Sequence, residues 1–538
     1  MEEFDFVIVG AGSAGCIVAY RLAEKGHSVC VLEAGPEDRN IYIRIPAGIV
    51  KTSTNDRLLW KFEHQPAPNT NNRTIPLIQG KMIGGGSSLN GMVYSRGQAG
   101  DFNLWASRGA EGWDYHSVLP YFRKYERFRD GDADPAYRGR EGRVQTSRQP
   151  RRDPLCEAFI AAAQADGIPA NPDYNGRVQE GVGYAQATIH RGQRSSSARA
   201  YLHPARRELG VRVITGAQVR RVLVEDGRAT GVEFSREGSD RAETVTARRC
   251  TIVSAGTANT AKLLQLSGIG PAALLKEHGI PVLRDLPVGE NFSDHYACRV
   301  VARVKPRYKT VNQLSRGLNL VGEVAKWLLD LPSILGMSSM SVYGFCKMQP
   351  GTADNDYCVT FTPASLKAGL TRKLDDFPGV TSGGWRLRPE SRGHVRLRSA
   401  DWRDAPLVQP NHLGEESDRA ITIAAIRRCH RILTGAAMRD YVEVMELPKT
   451  PPATEDEWLD YVRQYGSTAY HLVGTCTMGA ADDPKAVVDP RLRLRGIEGL
   501  RVIDASVMPT TPSGNTNAST TMIAEKASDM LLEDYPRT

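Results

Sequence analysis

Nine cysteines are scattered through 538 residues, an odd number with no Cys-x-x-Cys pair among them. That pattern excludes a zinc ribbon and a dithiol redox motif, and it offers no disulfide framework. No metal is therefore expected, and a reducing, cytoplasmic compartment fits. The chain lacks any run of about 18 apolar residues, so no membrane span is expected. It lacks a basic tail and any interleaving of aromatic with basic residues. The net charge of +8 is spread thinly along the chain, and nucleic acid is excluded as a partner on that ground. The first residues, MEEFDF, are acidic and run straight into apolar sequence, so no signal or transit peptide is expected. No internal repeat or low-complexity tract is present. At this length one core is not enough, and two or three domains are expected.

What is present is a βαβ opening at residues 4–35. Phe6 to Val9 reads as a buried parallel strand, Ser13 to Lys25 as a helix, and Val29 to Leu32 as a second strand with Glu33 at its tip. Between the first strand and the helix stands Gly10-Ala-Gly12-Ser13-Ala14-Gly15. Gly10 permits the tight turn, Gly12 lets a pyrophosphate approach the backbone, and Gly15 lets the helix pack on the strand. The helix start favours phosphate charge. Glu33 lies 18 residues after Gly15, where a carboxylate can accept from a ribose diol and would repel a 2′-phosphate.

A second glycine-rich stretch runs Gly80-Lys81-Met-Ile83-Gly84-Gly85-Gly86-Ser87-Ser-Leu89-Asn90-Gly91-Met92-Val93-Tyr94. Three glycines and two serines in a row predict neither helix nor strand but an exposed backbone surface. Its flanking Ile83, Leu89, Met92 and Val93 set it apart from a flexible linker.

Together with three later motifs this stretch resembles the glucose-methanol-choline (GMC) oxidoreductases. The second motif is Gly256-Thr-Ala-Asn-Thr-Ala261 through Gly268-Ile-Gly270, with Ala261 where the family has Pro or Ser. The third is Tyr470-His471-Leu472-Val-Gly474-Thr475, with Leu472 where members often have Pro. The fourth joins Asp504-Ala505-Ser-Val-Met-Pro509 to Gly514-Asn515-Thr516-Asn517. The resemblance covers nearly the whole chain. It implies an α/β fold with a Rossmann-like FAD-binding domain, residues 1–155, 206–295 and 462–538. A discontinuous sheet-and-helix cap, residues 156–205 and 296–461, then shapes the substrate pocket.

The implied cofactor is FAD, held by Gly10, Gly12, Ser13, Ala14, Gly15, Glu33 and Ala34. The second stretch adds Lys81, Gly85, Gly86, Ser87, Asn90, Gly91, Met92 and Val93. Val219 meets the adenine, and Ala255, Asp504, Ala505, Asn515 and Thr516 complete the set. Some relatives bind FAD covalently through a His where this chain has Leu89, so the attachment is expected to be non-covalent. His471 is implied as the catalytic base and Asn517 as its hydrogen-bonding companion; a neutral imidazole suits proton removal near pH 7. The helix predicted from Ala518 would point its positive end at the reduced flavin.

The expected reaction is oxidation of a primary alcohol, apolar or aromatic in body, to the aldehyde, with O₂ or a quinone-like carrier as acceptor. Alternatives within the family are a hydroxynitrile lyase, a fatty-acid photodecarboxylase, or a choline or polyol dehydrogenase. An NAD-linked dehydrogenase and a redox-dead binder are outside rivals. The apolar stretch from Trp327 to Phe345 is expected to be pocket wall or core, with contact to a membrane surface as the alternative.

Overall fold

The computed structural model describes residues 2–367 and 373–537. Phe6 to Val9 and Val29 to Leu32 carry side chains buried on both faces of a sheet, the pattern of central parallel strands. Strand Glu2–Val9 pairs in parallel with Val29–Glu33 on one side and Ala242–Val253 on the other, and Arg212–Thr215 extends the sheet beyond Val29–Glu33. Leu500–Val502 joins in parallel at the end of Ala242–Val253. Arg228–Arg236 and Ala217–Glu225 then add antiparallel, completing seven strands. Helix Ser13–Glu24 lies against this sheet, and the long helix Thr516–Asp534 packs along it. Arg21 ties the two, with ion pairs to Glu525 and to Asp529 at 2.6 Å.

A second core is built on an antiparallel sheet. Its strands run in the order Val442–Leu447, Tyr296–Val304, Gly379–Arg386, Tyr357–Thr362, Val342–Cys346 and Gly181–Tyr184. Helix Glu416–Thr434 covers one face, and helix Pro154–Ala165 packs beside it. The chain crosses back to the first core through Ser467–Thr468, which pairs with Tyr296–Ala297 and so delivers the next few residues to the seam between the cores. A smaller four-stranded sheet, including Leu59–His64 and Ile75–Gly80, walls the same seam.

One local expectation changes. The glycine-rich stretch does contain helix, a single turn Gly86–Leu89. Local side-chain bonds offset propensity there: Ser87 Oγ donates to Gly84 O and Ser88 Oγ to Ile83 O, while Gly84 and Gly85 take the positive φ values of 88° and 48° that glycine allows. Helix Gly317–Leu328 turns its apolar side outward.

Candidate active site

The seam holds a cavity of about 1680 Å³, reaching from the turn after the first strand to the second sheet. Glycine appears along it for two different reasons. A Cβ on Gly10 would lie 2.4 Å from Ser254 O, and one on Gly15 would lie 2.0 Å from Gly10 O, so protein packing alone demands those residues. A Cβ on Gly12 would come no nearer than 3.7 Å to Ser254 O, and one on Gly86 would meet nothing within 4 Å. Both line the cavity, so the space they leave open belongs to what fills it. That cradle, at a helix start, fits a pyrophosphate.

Glu33 is buried at the cavity edge. Its carboxylate accepts from Ala11 N at 2.9 Å and Gly35 N at 2.8 Å, which holds the turn and leaves further lone pairs for a ribose. Burial raises its pKa, and the bonds from Gly35 and Ala11 oppose that shift. Asp504 accepts from Gly256 N and Thr260 Oγ1 through one oxygen and from Ser506 N through the other. Ser13, Ala14, Ala34, Asn90, Gly91, Met92 and Val93 line the cavity, as do Val219, Ala255, Ala505 and Thr516. Leu89 lines it too, where no covalent bond to a cofactor can form.

Three expected residues lie off the lining. Gly15 is packed behind the turn. The Ser87 hydroxyl is engaged by Gly84 O and Ser197 N, and the Lys81 ammonium sits over the Trp60 ring at 4.8 Å.

At the substrate end stands His471, buried, on a backbone positioned by Asp294. Asp294 accepts from His471 N at 2.7 Å and from the Thr468 hydroxyl; burial pushes its pKa up to about 7. Both imidazole nitrogens of His471 are paired. Nδ1 lies 2.8 Å from His295 Nδ1, and Nε2 lies 2.9 Å from Asn515 Nδ2. His295 Nε2 lies 2.6 Å from Leu387 O. A carbonyl only accepts, so His295 carries its proton on Nε2 and offers a bare Nδ1. His471 must then carry its proton on Nδ1, and its Nε2 lone pair faces Asn515 and the cavity. Burial, and then the neighbouring His295, hold the His471 pKa well below the usual histidine value. Burial holds His295 at about 4. Both rings are neutral near pH 7.

Asn517 was expected beside the base; the structure puts Asn515 there. Asn515 is the extended N-cap of helix Thr516–Asp534 and Asn517 lies within its first turn, so the two side chains leave the backbone in different directions. Asn517 therefore points to the first helix, its amide donating to Ser13 Oγ at 2.9 Å. The buried Oδ1 of Asn515 and Nε1 of Trp385 have no hydrogen-bond partner among the described residues, and both residues line the cavity.

His295, Asp294 and Trp385 escaped the sequence reading, since a lone His or Trp carries no local signal. His64 and His412 lie near Asp294, all three buried with ligand-type atoms within 4.8 Å of one another, where no metal spacing was legible. Burial keeps His64 at about 4 and His412 well below the usual range, so both are neutral beside the Asp294 anchor.

The GMC oxidoreductase models match residues 4–297 and 389–524. This chain is a GMC oxidoreductase. The member is 38% identical over 545 residues to an oxygen-dependent choline dehydrogenase of Vibrio vulnificus, covering 99% of this chain and 95% of that one. It is 40% identical over 543 residues to a protein of the same name from Rhizobium etli, with 99% and 96% covered. The pyridoxine 4-oxidase of Mesorbium loti superposes with a TM-score of 0.85 at 28% identity, 98% of each chain covered. A formate oxidase variant of Aspergillus oryzae, solved to follow modification of its FAD, gives 0.90 at 26% identity over 99% of each. This GMC oxidoreductase is an FAD-dependent enzyme acting on alcohols. Its glycine cradle, Glu33 and the 1680 Å³ cavity fit that cofactor.

Proposed function

We infer that the enzyme oxidises a primary alcohol with an apolar or aromatic body to the aldehyde, with His471 Nε2 as the base. The observation that carries this is the tautomer chain from Leu387 O through His295 to His471, which leaves one bare imidazole nitrogen facing the cavity. The substrate hydroxyl takes the place of the Asn515 amide at that nitrogen and donates its proton there. The His471 Nδ1–H keeps its bond to His295, so the transient imidazolium is held in place. The Asn515 amide, displaced from nitrogen, donates to the substrate oxygen. Bound FAD supplies the hydride acceptor.

The Trp385 ring stands 6.0 Å from the His471 ring, and Tyr470, Phe62, Ile75, Leu335 and Met337 add apolar and aromatic surface to the cavity wall. Among the described residues the lining holds seven Lys or Arg and three carboxylates. Of those three, Glu33 and Asp504 bond backbone amides and Asp376 pairs with Arg316 and Lys367. No carboxylate is thus left to meet a cationic substrate. Choline is the second reading, favoured by the relatives' name and by rings that can face an ammonium group. Free thiols at all nine cysteines support a cytoplasmic setting.

The test is anaerobic mixing with a panel of benzyl alcohol, medium-chain alcohols, choline and glucose, read by flavin bleaching in the dark, then reopening to air. Apolar alcohols should bleach fastest. No bleaching with any alcohol would put the lyase or photodecarboxylase chemistry of the same fold in its place. Recovery of colour in air would identify O₂ as acceptor; persistent bleaching would point to a quinone-like carrier.

A further inference from the structure

Helix Gly317–Leu328 is inside out. The one side chain it buries is a charged residue, Glu323, 2% exposed. Its carboxylate accepts from Lys326 Nζ at 2.7 Å and Ile334 N at 2.8 Å, and its carbonyl accepts from Ser333 Oγ at 2.8 Å. Trp327 adds a second anchor, donating to Gly192 O at 2.7 Å. The outward arc is apolar. Leu318 is 89% exposed, Val321 64% and Leu328 70%, and Leu329 and Leu331 continue the surface past the helix end. Soluble helices bury such an arc, and an exposed patch of this kind marks an interaction site. The stretch that follows, from Ile334 to Cys346, is mostly buried wall and core, with Ser339 exposed. The segment from Trp327 to Phe345, expected as pocket wall or core, is thus divided: Leu328, Leu329 and Leu331 face outward, and most of the rest is buried.

The arc is not isolated. Residues 46–48 pack on 334–336, which pack on this helix, and the exposed Ile41, Tyr42 and Val50 flank that contact. Tyr42, Val50, Leu320 and Val324 also line the cavity, so the patch rims its mouth. Exposed Lys51, Arg316, Lys367 and Lys373 line the same cavity, and exposed Arg191 and Lys326 stand beside the helix; Asp376 pairs with Arg316 and Lys367, Asp330 with Arg191 and Glu323 with Lys326, which leaves a net positive rim. Apolar side chains ringed by cations complement one surface above others: anionic headgroups over acyl chains. Self-pairing fits less well, because an isologous contact would bring this cationic rim against its own copy.

We propose that Gly317–Leu328, with residues 329–331 and 41–50, seats the enzyme on an anionic lipid bilayer, so that the cavity mouth opens toward the acyl layer. Among the described residues no helix is long and apolar enough to cross a membrane, so the contact is monotopic. Apolar alcohols or a lipid-dissolved acceptor would then reach the cavity from the bilayer. The seating itself is independent of the reaction proposed above, and it is tested without turnover.

The full-length, FAD-loaded enzyme is floated with vesicles of phosphatidylglycerol and phosphatidylcholine in equal parts, and with phosphatidylcholine alone. Flotation is expected with the first, weaker with the second, and reduced by salt. The triple variant Leu318→Glu, Val321→Glu, Leu328→Glu should keep its FAD and melting temperature and bind the mixed vesicles at least about tenfold more weakly. If that variant fails to fold, hydrogen exchange on the parent decides, with amides of 317–331 protected when vesicles are added. Absence of flotation by the parent overturns the proposal. So does equal flotation by parent and variant, or unchanged exchange. A parent that light scattering shows as a dimer, with a monomeric variant and no vesicle binding, would assign the face to a second copy instead.

Discussion

His295 Nδ1 lies 2.8 Å from His471 Nδ1, with the two rings edge to face and their centroids 5.0 Å apart. Two ring nitrogens at that distance share one proton. Because His295 Nε2 is committed to Leu387 O, the shared proton belongs to His471. A residue 176 positions away in the sequence thus decides which nitrogen of the base is bare.

His295 is accordingly a positioning residue with its own test. His295→Leu leaves the His471 Nδ1–H unmet, and an unmet buried donor costs about 1–3 kcal/mol. Flavin reduction by a saturating alcohol should slow by roughly 5- to 150-fold at that cost. His295→Gln, which can accept and donate in the same two directions, should recover most of the rate. It should also move the His471 ionisation up toward the ordinary value, since His295 contributes to lowering it. Equal rates in parent and His295→Leu would remove His295 from the mechanism.

Leu89 lines the cavity where some relatives attach FAD, and a Leu side chain cannot form that bond. Acid precipitation of the yellow protein should release the colour to the supernatant. Colour retained in the pellet would show a covalent link at some other residue.

Glu33 accepts from Ala11 N and Gly35 N at the edge of the cradle. Glu33→Arg removes both acceptors and any ribose contact. A charge-assisted bond is worth about 1.5–3 kcal/mol, so each lost contact should raise the FAD dissociation constant by roughly 10- to 150-fold. Equilibrium dialysis of the released flavin measures it. Unchanged retention would mean that Glu33 holds only the turn, and that some other group meets the ribose.

How legible all this was depended on how local each signal is. The turn from Gly10 to Glu33 is readable because spacing within one βαβ unit carries its own geometry. His471 was readable through its motif. Asn515 and Asn517 were both visible, but two residues apart at a helix start is a change of direction that a linear motif does not encode. Helix Gly317–Leu328 is amphipathic. Which side faces out was not legible, because the deciding groups, Glu323 bonded to Ile334 N and Trp327 bonded to Gly192 O, meet partners through tertiary contact. His295 and Trp385 sit near His471 only after the second sheet has folded.

Substrate preference follows from the walls. Trp385, Phe62, Leu335 and Met337 present apolar surface, and the lining carboxylates are already bonded or ion-paired. Benzyl and medium-chain primary alcohols should therefore show higher kcat/KM than glucose, and higher than choline, whose cation would face an excess of Lys and Arg. Faster turnover of choline would move the assignment to the relatives' named activity and require a re-reading of the aromatic walls.

The last prediction separates His471, Asn515 and Asn517 by rate and pH. Only the neutral imidazole accepts a proton, so rate is present above the His471 pKa and lost as pH falls through it. Burial and His295 set that pKa well below the ordinary histidine value of 6.5. Reduction should thus be flat across neutral pH and fall only in acid, below the range where an exposed histidine titrates. His471→Ala should slow reduction by roughly 10²–10⁴-fold and erase the acid limb. Asn515→Ala should keep the limb but cost about 1–3 kcal/mol in rate, because the hydroxyl oxygen loses its donor. Asn517→Ala should leave the rate close to that of the parent and instead weaken FAD retention, since its amide is bonded to Ser13 in the cradle. Anaerobic stopped-flow across pH, with FAD content measured for each variant, distinguishes the three. If Asn517→Ala slows reduction more than Asn515→Ala with FAD fully bound, the placement of Asn515 beside the base is wrong. If His471→Ala reduces its flavin at the parent rate, the proton leaves by another group.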